Sequence, residues 1–325
     1  MIAYHKINET KKKYQKIGFI YNPFSNKGKS RDYFEKNIIL NISKWLDGRD
    51  VLLRQTYGKG DATIIAKNMI EMGYELIVAC GGDGTINEVL NGIVDVEQMI
   101  AKAALAVIPI GTGNDFASSL GWSVEDNSIY EKIINAIAEG RTINIDIGEV
   151  KNKDNKRFWI NSCGVGLSGE IINGINNSTT NWIPKDWVYK LQTLYQNLIY
   201  TNKNIKYTSD NNKSFNVKSQ ALIVSNGKFF GGGMCGSPKA EINDGLLNYG
   251  ILGDVGIIDM LSILPSIYEG KHTNHPKVKV DVCKKLICEP VEDSDKVRIE
   301  TDGELFGYAP CTIQIHSNIL PIIIN

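Results

Sequence analysis

The sequence lacks an excess of charge of either sign, because its 325 residues contain 36 Lys and Arg against 36 Asp and Glu. Without a basic surplus, binding to nucleic acid by phosphate neutralisation is disfavoured. The chain also lacks any run near the ~20 uncharged apolar residues of a membrane-spanning helix. Even GIIDMLSILPSIY contains Asp259 and a proline. The N-terminal MIAYHKINETKKKYQK has no apolar core of signal-peptide length. We therefore expect a cytoplasmic protein, soluble or peripheral to the inner face of the membrane.

The cysteine patterns of metal-binding and disulfide-rich proteins are also missing. The six cysteines include no Cys-x-x-Cys pair, and the chain has four histidines. A structural zinc site is therefore disfavoured. Cys80 and Cys163 lie in apolar segments, so we expect them to be reduced thiols that pack as small core residues.

The first 145 residues alternate β-branched apolar runs with helical patterns. Strands are predicted at 16–23, 51–58, 75–80 and 104–110, and helices at about 30–45, 61–72, 85–93 and 126–139. Short apolar strands separated by helices predict a parallel, doubly wound sheet. The length exceeds that of a single core, so a second domain is expected to follow.

The pattern changes after INIDIGEV at 143–150. Strand-like segments separated by turn residues continue to about residue 315, and helical patterns are found at 168–176 and 184–200. This arrangement predicts a mainly antiparallel β-sandwich domain over residues 146–315. The apolar end of the chain, 316–325, is expected to return to the first domain. The predicted fold class is α/β, with a β-sandwich as the second domain.

The stretch GGDGTINEVLNG at 81–92 follows a buried strand and opens a helix. Glycines allow a ligand to approach the main chain, and the free N–H groups of a helix start attract phosphate. A tight turn with Asp83 as the helix N-cap is the alternative. Three glycines in four positions exceed what a cap needs, which favours a ligand site.

A second glycine loop, GTGNDFA at 111–117, follows the next predicted strand. Parallel strands with right-handed crossovers place both loops at the same edge of the sheet. Asp83 and Asp115 are therefore expected to face one crevice. An acid beside phosphate is tolerable if a divalent cation lies between them, directly or through its waters, so both aspartates are candidates for a nucleotide–magnesium site.

Further candidate residues have plain structural alternatives. NPFSNKGKS at 22–30 is not a Walker A loop, because Pro23 stands where that motif needs glycine, although Ser25, Lys27 and Lys29 could still hold phosphate. Asp146 in NIDIG is either a crevice wall or a surface strand residue.

Two later turns also contain acids. Asp244-Gly245 is either a cation site or a hairpin turn. IETDGELFG places Asp302 and Glu304 in a late hairpin, where one carboxylate could accept a proton from an attacking hydroxyl.

Taken in order, GGDGTINEVLNG, PIGTGNDFA, GGGM with NDGLL, and DGE resemble the catalytic family of diacylglycerol kinases. That family includes soluble bacterial diacylglycerol kinases, YegS-like lipid kinases and sphingosine kinases. The resemblance runs from about Lys16 to about Asn318. GGDGT alone also occurs in NAD kinases and phosphofructokinases, whereas its NEV continuation and GTGNDFA are much more specific to the lipid kinases.

The resemblance implies an ATP-binding α/β domain, a lipid-substrate β-sandwich domain and a site between them. It places the nucleotide contacts on Asn22, Pro23, Phe24, Ser25, Asn26, Thr56, Gly81, Gly82, Asp83, Gly84, Thr85, Ile86, Asn87, Thr112, Asn114 and Asp115. It places a metal-linked acidic network on Asp83, Asp115 and Asp146, and a structural magnesium site on Glu241, Asp244 and Leu246. The implied catalytic residues are Glu304, Asp302 and Asp83.

One position departs from the family pattern. The aspartate pair that commonly precedes the glycine is Asn243-Asp244 here, which removes one charge next to the structural ion.

The expected function is that of an ATP- and Mg²⁺-dependent lipid kinase that phosphorylates a hydroxyl of diacylglycerol or a related lipid. An NAD kinase-like enzyme and a non-catalytic nucleotide- or lipid-binding regulator are the alternatives. The segment 179–200 concentrates aromatic residues and two lysines suited to a membrane surface: Trp182, Trp187, Tyr189, Tyr195, Tyr200, Lys185 and Lys190. An amphipathic helix packed on the sandwich is the other interpretation. A homodimer is also expected.

Overall fold

The computed structural model describes residues 10–28, 31, 34–39, 42, 46–123, 125–126, 128–178, 185–210 and 213–324. For residues 27, 37, 185–187 and 190 it describes the backbone alone. The chain divides into two units. Unit 1 comprises Met1–Ile147, Ile242–Asp244 and His316–Asn325, and unit 2 comprises Gly148–Glu241 and Gly245–Ile315.

Unit 1 is an α/β unit. Its strands are β1 (Thr10–Lys11), β2 (Lys16–Tyr21), β3 (Asp50–Gln55), β4 (Leu76–Gly81), β5 (Val94–Asp95), β6 (Ile100–Ala101), β7 (Ala104–Pro109) and the start of β8 (Arg141–Lys151). Its α-helices are α1 (Asp61–Glu71), α2 (Asp83–Ile93), α3 (Asp115–Ser119) and α4 (Ile129–Glu139). A 3-10 turn covers Ser25–Gly28, and a π-helical segment covers Phe34–Ile39.

The four central strands of unit 1 are parallel, in the order β7-β4-β2-β3. Every residue of β4 and β7 is buried, as expected for strands that are covered on both faces. The predicted doubly wound sheet is therefore confirmed. Because these strands share one direction, the loops that follow them lie at the same edge of the sheet.

The helices of unit 1 follow the predicted ones with two differences. The short helix α3 was not predicted, because GTGNDFA was interpreted as a loop. The helix predicted at 30–45 lies partly outside the described residues, and the described part is the π-helical segment. Glu88 of α2 ties the start of α1 to it, since its carboxylate accepts the amide N–H groups of Gly60 and Ala62 at 2.8 and 3.1 Å.

Unit 2 is mainly antiparallel. Its strands are the end of β8, β9 (Lys156–Trp159), β10 (Ser162–Gly166), β11 (Lys203–Ser209), β12 (Ser214–Ser219), β13 (Ala221–Ser225), β14 (Phe229–Phe230), β15 (Met234–Cys235), β16 (Leu247–Leu252), β17 (Val278–Cys283), β18 (Lys285–Pro290), β19 (Arg298–Thr301), β20 (Glu304–Tyr308) and the first part of β21 (Cys311–Ile323). Its helices are α5 (Leu167–Asn176), α6 (Lys185–Ile199) and α7 (Ile257–Tyr268), with a 3-10 turn at Lys271–Asn274.

Two sheets of unit 2 enclose a common core. One sheet has the order β17-β16-β13-β10-β19-β20, and the strands β12-β11-β18-β21 belong to the other. Val165 and Leu222 from the first sheet and Tyr207, Leu286 and Ile313 from the second belong to one buried apolar cluster. Apolar residues from two inner faces that share a core define a sandwich. The predicted antiparallel sandwich is confirmed.

Helix α7 corrects the sequence analysis, which found helical patterns in the second half of the chain at 168–176 and 184–200 alone. Its start is stabilised by Asp259, whose carboxylate accepts the N–H of Gly256 at 2.7 Å. The helix is apolar on several faces, with Ile263 buried and Ile258 85% exposed, so it shows no clear helical period. Pro265 inside the helix further hides it from sequence reasoning.

Two further expectations concern membranes and cysteines. Within the described part of the chain, no helix has the length and apolar character needed to cross a bilayer. All six cysteines are free thiols. Cys80 and Cys163 are fully buried, as predicted, and burial raises the pKa of both thiols well above the ordinary value. They therefore act as core residues.

Candidate active site

The two glycine loops of unit 1 meet directly at the carboxyl edge of the parallel sheet. Gly81 at the end of β4 pairs with Pro109 of β7, and Ile110 donates its N–H to the Gly81 carbonyl at 3.1 Å. A Cβ on residue 111 would lie 2.4 Å from the Cα of Gly82, so neither backbone could come this close if residue 111 were larger. The predicted proximity of the loops is confirmed.

Asp83 bridges the two loops. Its two carboxylate oxygens accept the N–H groups of Asp115 at 3.2 Å and Phe116 at 3.0 Å, at the start of α3. Burial raises the pKa of Asp83, and the hydrogen bonds from the amide groups oppose this rise. Asp83 does not cap its own helix, whose N-cap is Gly82. A carboxylate has about four acceptor positions, so the bridge is compatible with a further bond to a metal-bound water.

The second loop is closed by its own asparagine. Asn114 has a left-handed backbone (φ 55°), accepts the Gly111 N–H at 2.9 Å and donates to the Gly111 carbonyl at 3.0 Å. Asn114 and Asp115 are both buried, and Thr112 lies within the same loop. These two hydrogen bonds close the loop on itself.

Asp146 lies in the interior of unit 1 and not at its surface. Its side chain is fully buried and accepts the Asn318 N–H at 2.7 Å, while its own N–H donates to the Ile242 carbonyl at 2.8 Å. Across the described residues, no three His, Cys, Asp or Glu side chains come close enough to hold a metal by themselves. Metal binding by the acidic network would therefore need water or phosphate oxygens as additional ligands.

The loop after β2 approaches the first glycine loop. Asn22 donates its side-chain N–H to Thr85 Oγ1 at 3.1 Å and accepts the Phe24 N–H at 3.0 Å. Pro23 to Asn26 continue into the 3-10 turn. Thr56, after β3, is buried and donates its N–H to the Tyr21 carbonyl at 2.9 Å. The Lys27 side chain, Lys29 and Ser30 lie outside the described residues.

The start of α2 supplies the remaining predicted nucleotide contacts. Gly84, Thr85, Ile86 and Asn87 form its first turns, with the last three buried. Sequence reasoning missed one exposed aromatic residue at this edge. Tyr57, directly after Thr56, is 76% exposed, and Phe24 is 66% exposed. The sequence signal that could have identified Tyr57 is its position as an aromatic residue just after the end of a predicted strand.

The segment predicted to hold the structural magnesium ion contains unsatisfied oxygen atoms. Glu241 Oε2 and Asn243 Oδ1 are buried, and neither has a hydrogen-bond partner among the described residues. Asp244 belongs to unit 1, and Leu246 directly precedes β16 in unit 2. Carboxylate, amide and carbonyl oxygens are the ligands that Mg²⁺ takes. The residues present therefore fit this ion.

The two acids of the DGE turn in unit 2, Asp302 and Glu304, have different surroundings. Asp302 has φ 48° and is buried, and its carboxylate accepts the N–H groups of Ile160, Asn161 and Ser162 at 2.9, 3.0 and 2.9 Å. These bonds fasten the turn to the loop that precedes β10. The side chain of Glu304 is 20% exposed, and its Oε2 lies 3.8 Å from the guanidinium of Arg157.

Sequence reasoning missed a third acid, Glu300. It is 5% exposed and its Oε2 accepts the Gly303 N–H at 3.0 Å. Burial, together with the Asp302 charge, raises the pKa of Glu300 to about 8 against the hydrogen bonds from Gly303 and Gly164. Its position on β19, next to the buried Ile299, was interpreted as part of a plain hairpin strand. The alternation of apolar and polar residues along a strand could not predict that the Glu300 carboxyl group is buried.

A partly open apolar cavity of about 70 Å³ lies within unit 2, between β13, β16 and the helices α5, α6 and α7. Four polar atoms of its lining residues are buried and have no hydrogen-bond partner within the described part of the chain. They are Ser168 Oγ, Thr193 Oγ1, Asn197 Oδ1 and His272 Nδ1. An apolar cavity with a few unsatisfied polar atoms is suited to an amphipathic ligand.

The Ser168 end of this cavity lies close to Glu300 of β19, whose carboxyl group accepts the Gly303 N–H of the DGE turn. Ser168 Oγ and Glu300 Oε1 lie 2.1 and 2.3 Å from the point that a Cβ of residue 164 would occupy. The absence of a side chain at Gly164 therefore leaves the space in which both groups lie. Helix α5 is fixed there by Glu170, which forms an ion pair with Arg298 of β19 at 2.9 Å.

Comparison with known proteins identifies the family. Residues 16–150 match the diacylglycerol kinase catalytic domain, and residues 162–324 match the YegS C-terminal NAD kinase beta sandwich-like domain. A diacylglycerol kinase of Bacillus subtilis (strain 168) is 30% identical over 294 residues, which are 90% of each chain. The chain belongs to the diacylglycerol kinase family. It is a lipid kinase, and the resemblance noted in the sequence is confirmed.

Further relatives of this lipid kinase agree. A diacylglycerol kinase of Staphylococcus carnosus (strain TM300) is 26% identical over 90% of this chain and 89% of its own. A crystal structure of a diacylglycerol kinase from Bacillus anthracis str. Sterne has a TM-score of 0.70 at 20% identity, covering 97% of this chain and 98% of its own. An ATP complex of an Archaeoglobus fulgidus NAD kinase has a TM-score of 0.50 at 12% identity, covering 94% and 93%. At these identities the two structures show a common fold and nothing finer.

Proposed function

We propose that this lipid kinase transfers the γ-phosphoryl group of ATP, with Mg²⁺, to the free hydroxyl of diacylglycerol or a closely related lipid. The observation that carries the proposal is the apolar cavity of unit 2, one end of which lies beside Glu300, the acid that bonds Gly303 of the DGE turn. An apolar space whose Ser168 end lies beside Glu300, the acid that bonds Gly303 of the DGE turn, suits a substrate with a long acyl chain and a reactive hydroxyl. It has no evident use in a kinase whose acceptor is a polar nucleotide.

Unit 1 is proposed to bind ATP at the carboxyl edge of its parallel sheet. The loops after β2, β3, β4 and β7 meet there, and the start of α2 presents amide groups and the positive end of a helix dipole to phosphate. The Archaeoglobus fulgidus NAD kinase of similar fold was solved in complex with ATP. Phe24 and Tyr57 are exposed at this edge, and we assign one of them to stack on the adenine base.

Magnesium would be held by Glu241, Asp244 and Leu246 at the structural site, with Asn243 as a neutral oxygen donor. The acidic network of Asp83, Asp115 and Asp146 would act on the nucleotide-bound ion through water. When bound, the nucleotide's magnesium would offset the negative charge of the phosphates during transfer.

The acceptor is proposed to place its acyl chain in the cavity and its glycerol end near Ser168. His272 uses one ring nitrogen to bond the Gly236 carbonyl at 3.1 Å, and burial lowers its pKa. Nε2 is then the donor, which leaves Nδ1 as a neutral acceptor inside the cavity. Ser168 and Thr193 can donate to ester carbonyl groups of the lipid, which suits a glycerolipid.

Glu304 is proposed as the proton acceptor. The lipid oxygen attacks the γ-phosphorus, the bond from this phosphorus to the bridging oxygen breaks, ADP leaves, and the hydroxyl proton passes to the Glu304 carboxylate. Asp302 is a poorer candidate, because three amide groups already donate to it. Its bonds instead fix the turn on which Glu304 stands, so that positioning contributes to the rate.

The outer faces of α6 and α7 are proposed to dock on the membrane that holds the lipid substrate. The large apolar residues Leu194, Leu198, Ile258 and Leu261 are each more than half exposed. Tyr189, by contrast, packs inward against buried apolar clusters. Trp182 and the side chains of Lys185, Trp187 and Lys190 lie outside the described residues. Cosedimentation with liposomes tests this docking, and equal amounts of Leu198→Glu and wild-type protein in the pellet would argue against it.

A panel of acceptors tests the proposed function. Radiolabelled ATP would be offered with mixed micelles that contain diacylglycerol, monoacylglycerol, phosphatidylglycerol or a sphingoid base, and separately with NAD. We expect label in phosphatidic acid at the highest rate, with a requirement for Mg²⁺. Label in NADP and in no lipid would favour the NAD kinase alternative. Label in no acceptor at all, with ATP still bound, would favour a non-catalytic regulator.

A further inference from the structure

The buried carboxyl group of Glu300 has no role in the chemistry described above. It lies on β19 beneath the DGE turn, with Oε2 bonded to the Gly303 N–H at 3.0 Å and Oε1 beside Gly164 of β10. Gly303 is the residue immediately before Glu304 in the chain. A group that holds Gly303 therefore also determines where the Glu304 backbone begins.

Among the residues that the structure describes, the neighbours of Glu300 offer it no counter-charge. The Asp302 carboxylate repels it from the same hairpin, and the Cys163 thiol of β10 and the Ser168 hydroxyl of α5 are neutral. Arg298, two residues earlier on β19, gives its guanidinium to Glu170 of α5 at 2.9 Å.

On β20 and β9, Glu304 and Arg157 face each other at 3.8 Å. No cation within the described part of the chain contributes to the shift in the Glu300 pKa.

We propose that Glu300 is a positioning residue for phosphoryl transfer: its side chain holds Gly303 of the DGE turn and so places the Glu304 carboxylate at the acceptor hydroxyl. The inference rests on the function proposed above. Two carboxyl groups then hold the turn. Asp302 accepts N–H groups of residues 160–162, and Glu300 accepts the N–H of Gly303.

The protonation state of Glu300 follows from its surroundings. Since burial raises its pKa to about 8, the group is mostly neutral at pH 7 and becomes a carboxylate above pH 8. Ionisation puts a second buried negative charge beside Asp302. The turn must then open to water or shift, which moves Glu304. The turnover number should therefore fall as the pH rises through about 8.

The test compares the pH profile of kcat in wild type, Glu300→Gln and Glu300→Ala with saturating ATP, Mg²⁺ and diacylglycerol. Glutamine imitates the neutral acid, so Glu300→Gln should keep the kcat of wild type at pH 7 and lose the decline above pH 8. Wild type should be about tenfold slower one pH unit above the midpoint. Glu300→Ala removes the acceptor of the Gly303 N–H, and it should lower kcat at every pH with the KM for ATP unchanged.

Glu289→Gln is the matched control, because Glu289 lies on β18 with its side chain 44% exposed. Its profile should follow that of wild type. A decline in Glu300→Gln with the same midpoint as in wild type would overturn the proposal. So would a Glu300→Ala protein with normal kcat.

Unfolding by urea at several pH values provides a readout that needs no substrate. A raised pKa in the folded state means that the stability is fully present below the unfolded-state pKa of 4.5 and is lost as the pH rises toward about 8. Wild type should lose stability over this window relative to Glu300→Gln. If this difference is found but the kcat profiles coincide, Glu300 is structural only and the inference fails. If wild type phosphorylates no lipid, the proposed function fails, and the inference fails with it.

Discussion

At the scale of single residues, charged groups of this kinase hold backbone segments together. Asp83, expected at the metal, also joins the two glycine loops through the N–H groups of Asp115 and Phe116. The topology rule for parallel strands was sufficient to predict that these loops meet. It could not predict the direction of the Asp83 side chain, which depends on how closely the Gly82 and Gly111 backbones approach; a Cβ on residue 111 would lie 2.4 Å from the Gly82 Cα.

Replacing Asp83 should therefore affect activity and stability together. We expect Asp83→Ala to lower turnover by at least about 100-fold, because the phosphate loops lose their bridge and their acid. The free energy of unfolding should fall by about 1–3 kcal/mol, since two amide groups lose their acceptor. Steady-state kinetics and urea titration measure the two effects. A folded Asp83→Ala protein with normal turnover would refute the role given to this residue.

The two acids of the DGE turn should behave differently from each other. Glu304→Gln should reduce kcat by about 10²–10⁴-fold with little change in stability, as expected for loss of a proton acceptor. Asp302→Ala should lower the free energy of unfolding by about 3 kcal/mol or more, because three amide groups lose their partner. Measuring kcat and urea unfolding for both variants separates the roles. Undiminished kcat in Glu304→Gln would exclude it as the base.

Asn243 tests the magnesium site. Restoring the family's second aspartate by Asn243→Asp adds a negative charge next to Glu241, whose Oε2 has no hydrogen-bond partner among the described residues. We expect the Mg²⁺ concentration for half-maximal stabilisation against heat to fall about tenfold, since charge count tunes cation affinity. Thermal melting in Mg²⁺ titrations, without ATP, gives this value. An unchanged midpoint would place the structural ion elsewhere.

At the scale of elements, β-branched runs and helical periods predicted the parallel strands and the sandwich. The same reasoning missed α7, because a helix with apolar residues on its inner and outer faces has no clear period. The cavity could not be predicted for this reason, since Met260, Leu264 and Ile267 of α7 form part of its wall. A cavity depends on tertiary packing between elements distant in the chain.

The cavity wall on α7 allows a matched pair of variants. Leu264 lines the cavity, and Leu261, one turn earlier, is 67% exposed. Leu264→Trp should fill the cavity and raise the KM for long-chain diacylglycerol several-fold more than the KM for a short-chain diacylglycerol. Leu261→Trp should leave the ratio of the two KM values unchanged. Equal ratios in both variants would show that the acyl chain binds elsewhere.

At the scale of the whole molecule, the order of motifs along the chain was enough to predict the family. The fold by itself does not choose an acceptor, because an NAD kinase shares it at a TM-score of 0.50. What favours a lipid is the apolar space of unit 2 beside Glu300, the acid that bonds the DGE turn. In the proposed function each unit has its own part, with phosphate binding by the loops of the first and acceptor binding in the cavity of the second.

The most direct test is the transfer of label from [γ-³²P]ATP to diacylglycerol in mixed micelles, with Glu304→Gln beside wild type. Wild type should place label in the extracted phosphatidic acid at a constant rate that requires Mg²⁺, and Glu304→Gln should place almost none. Two results would contradict the account. One is a folded wild-type protein that phosphorylates NAD but leaves the lipid fraction unlabelled. The other is equal labelling of the lipid by wild type and Glu304→Gln.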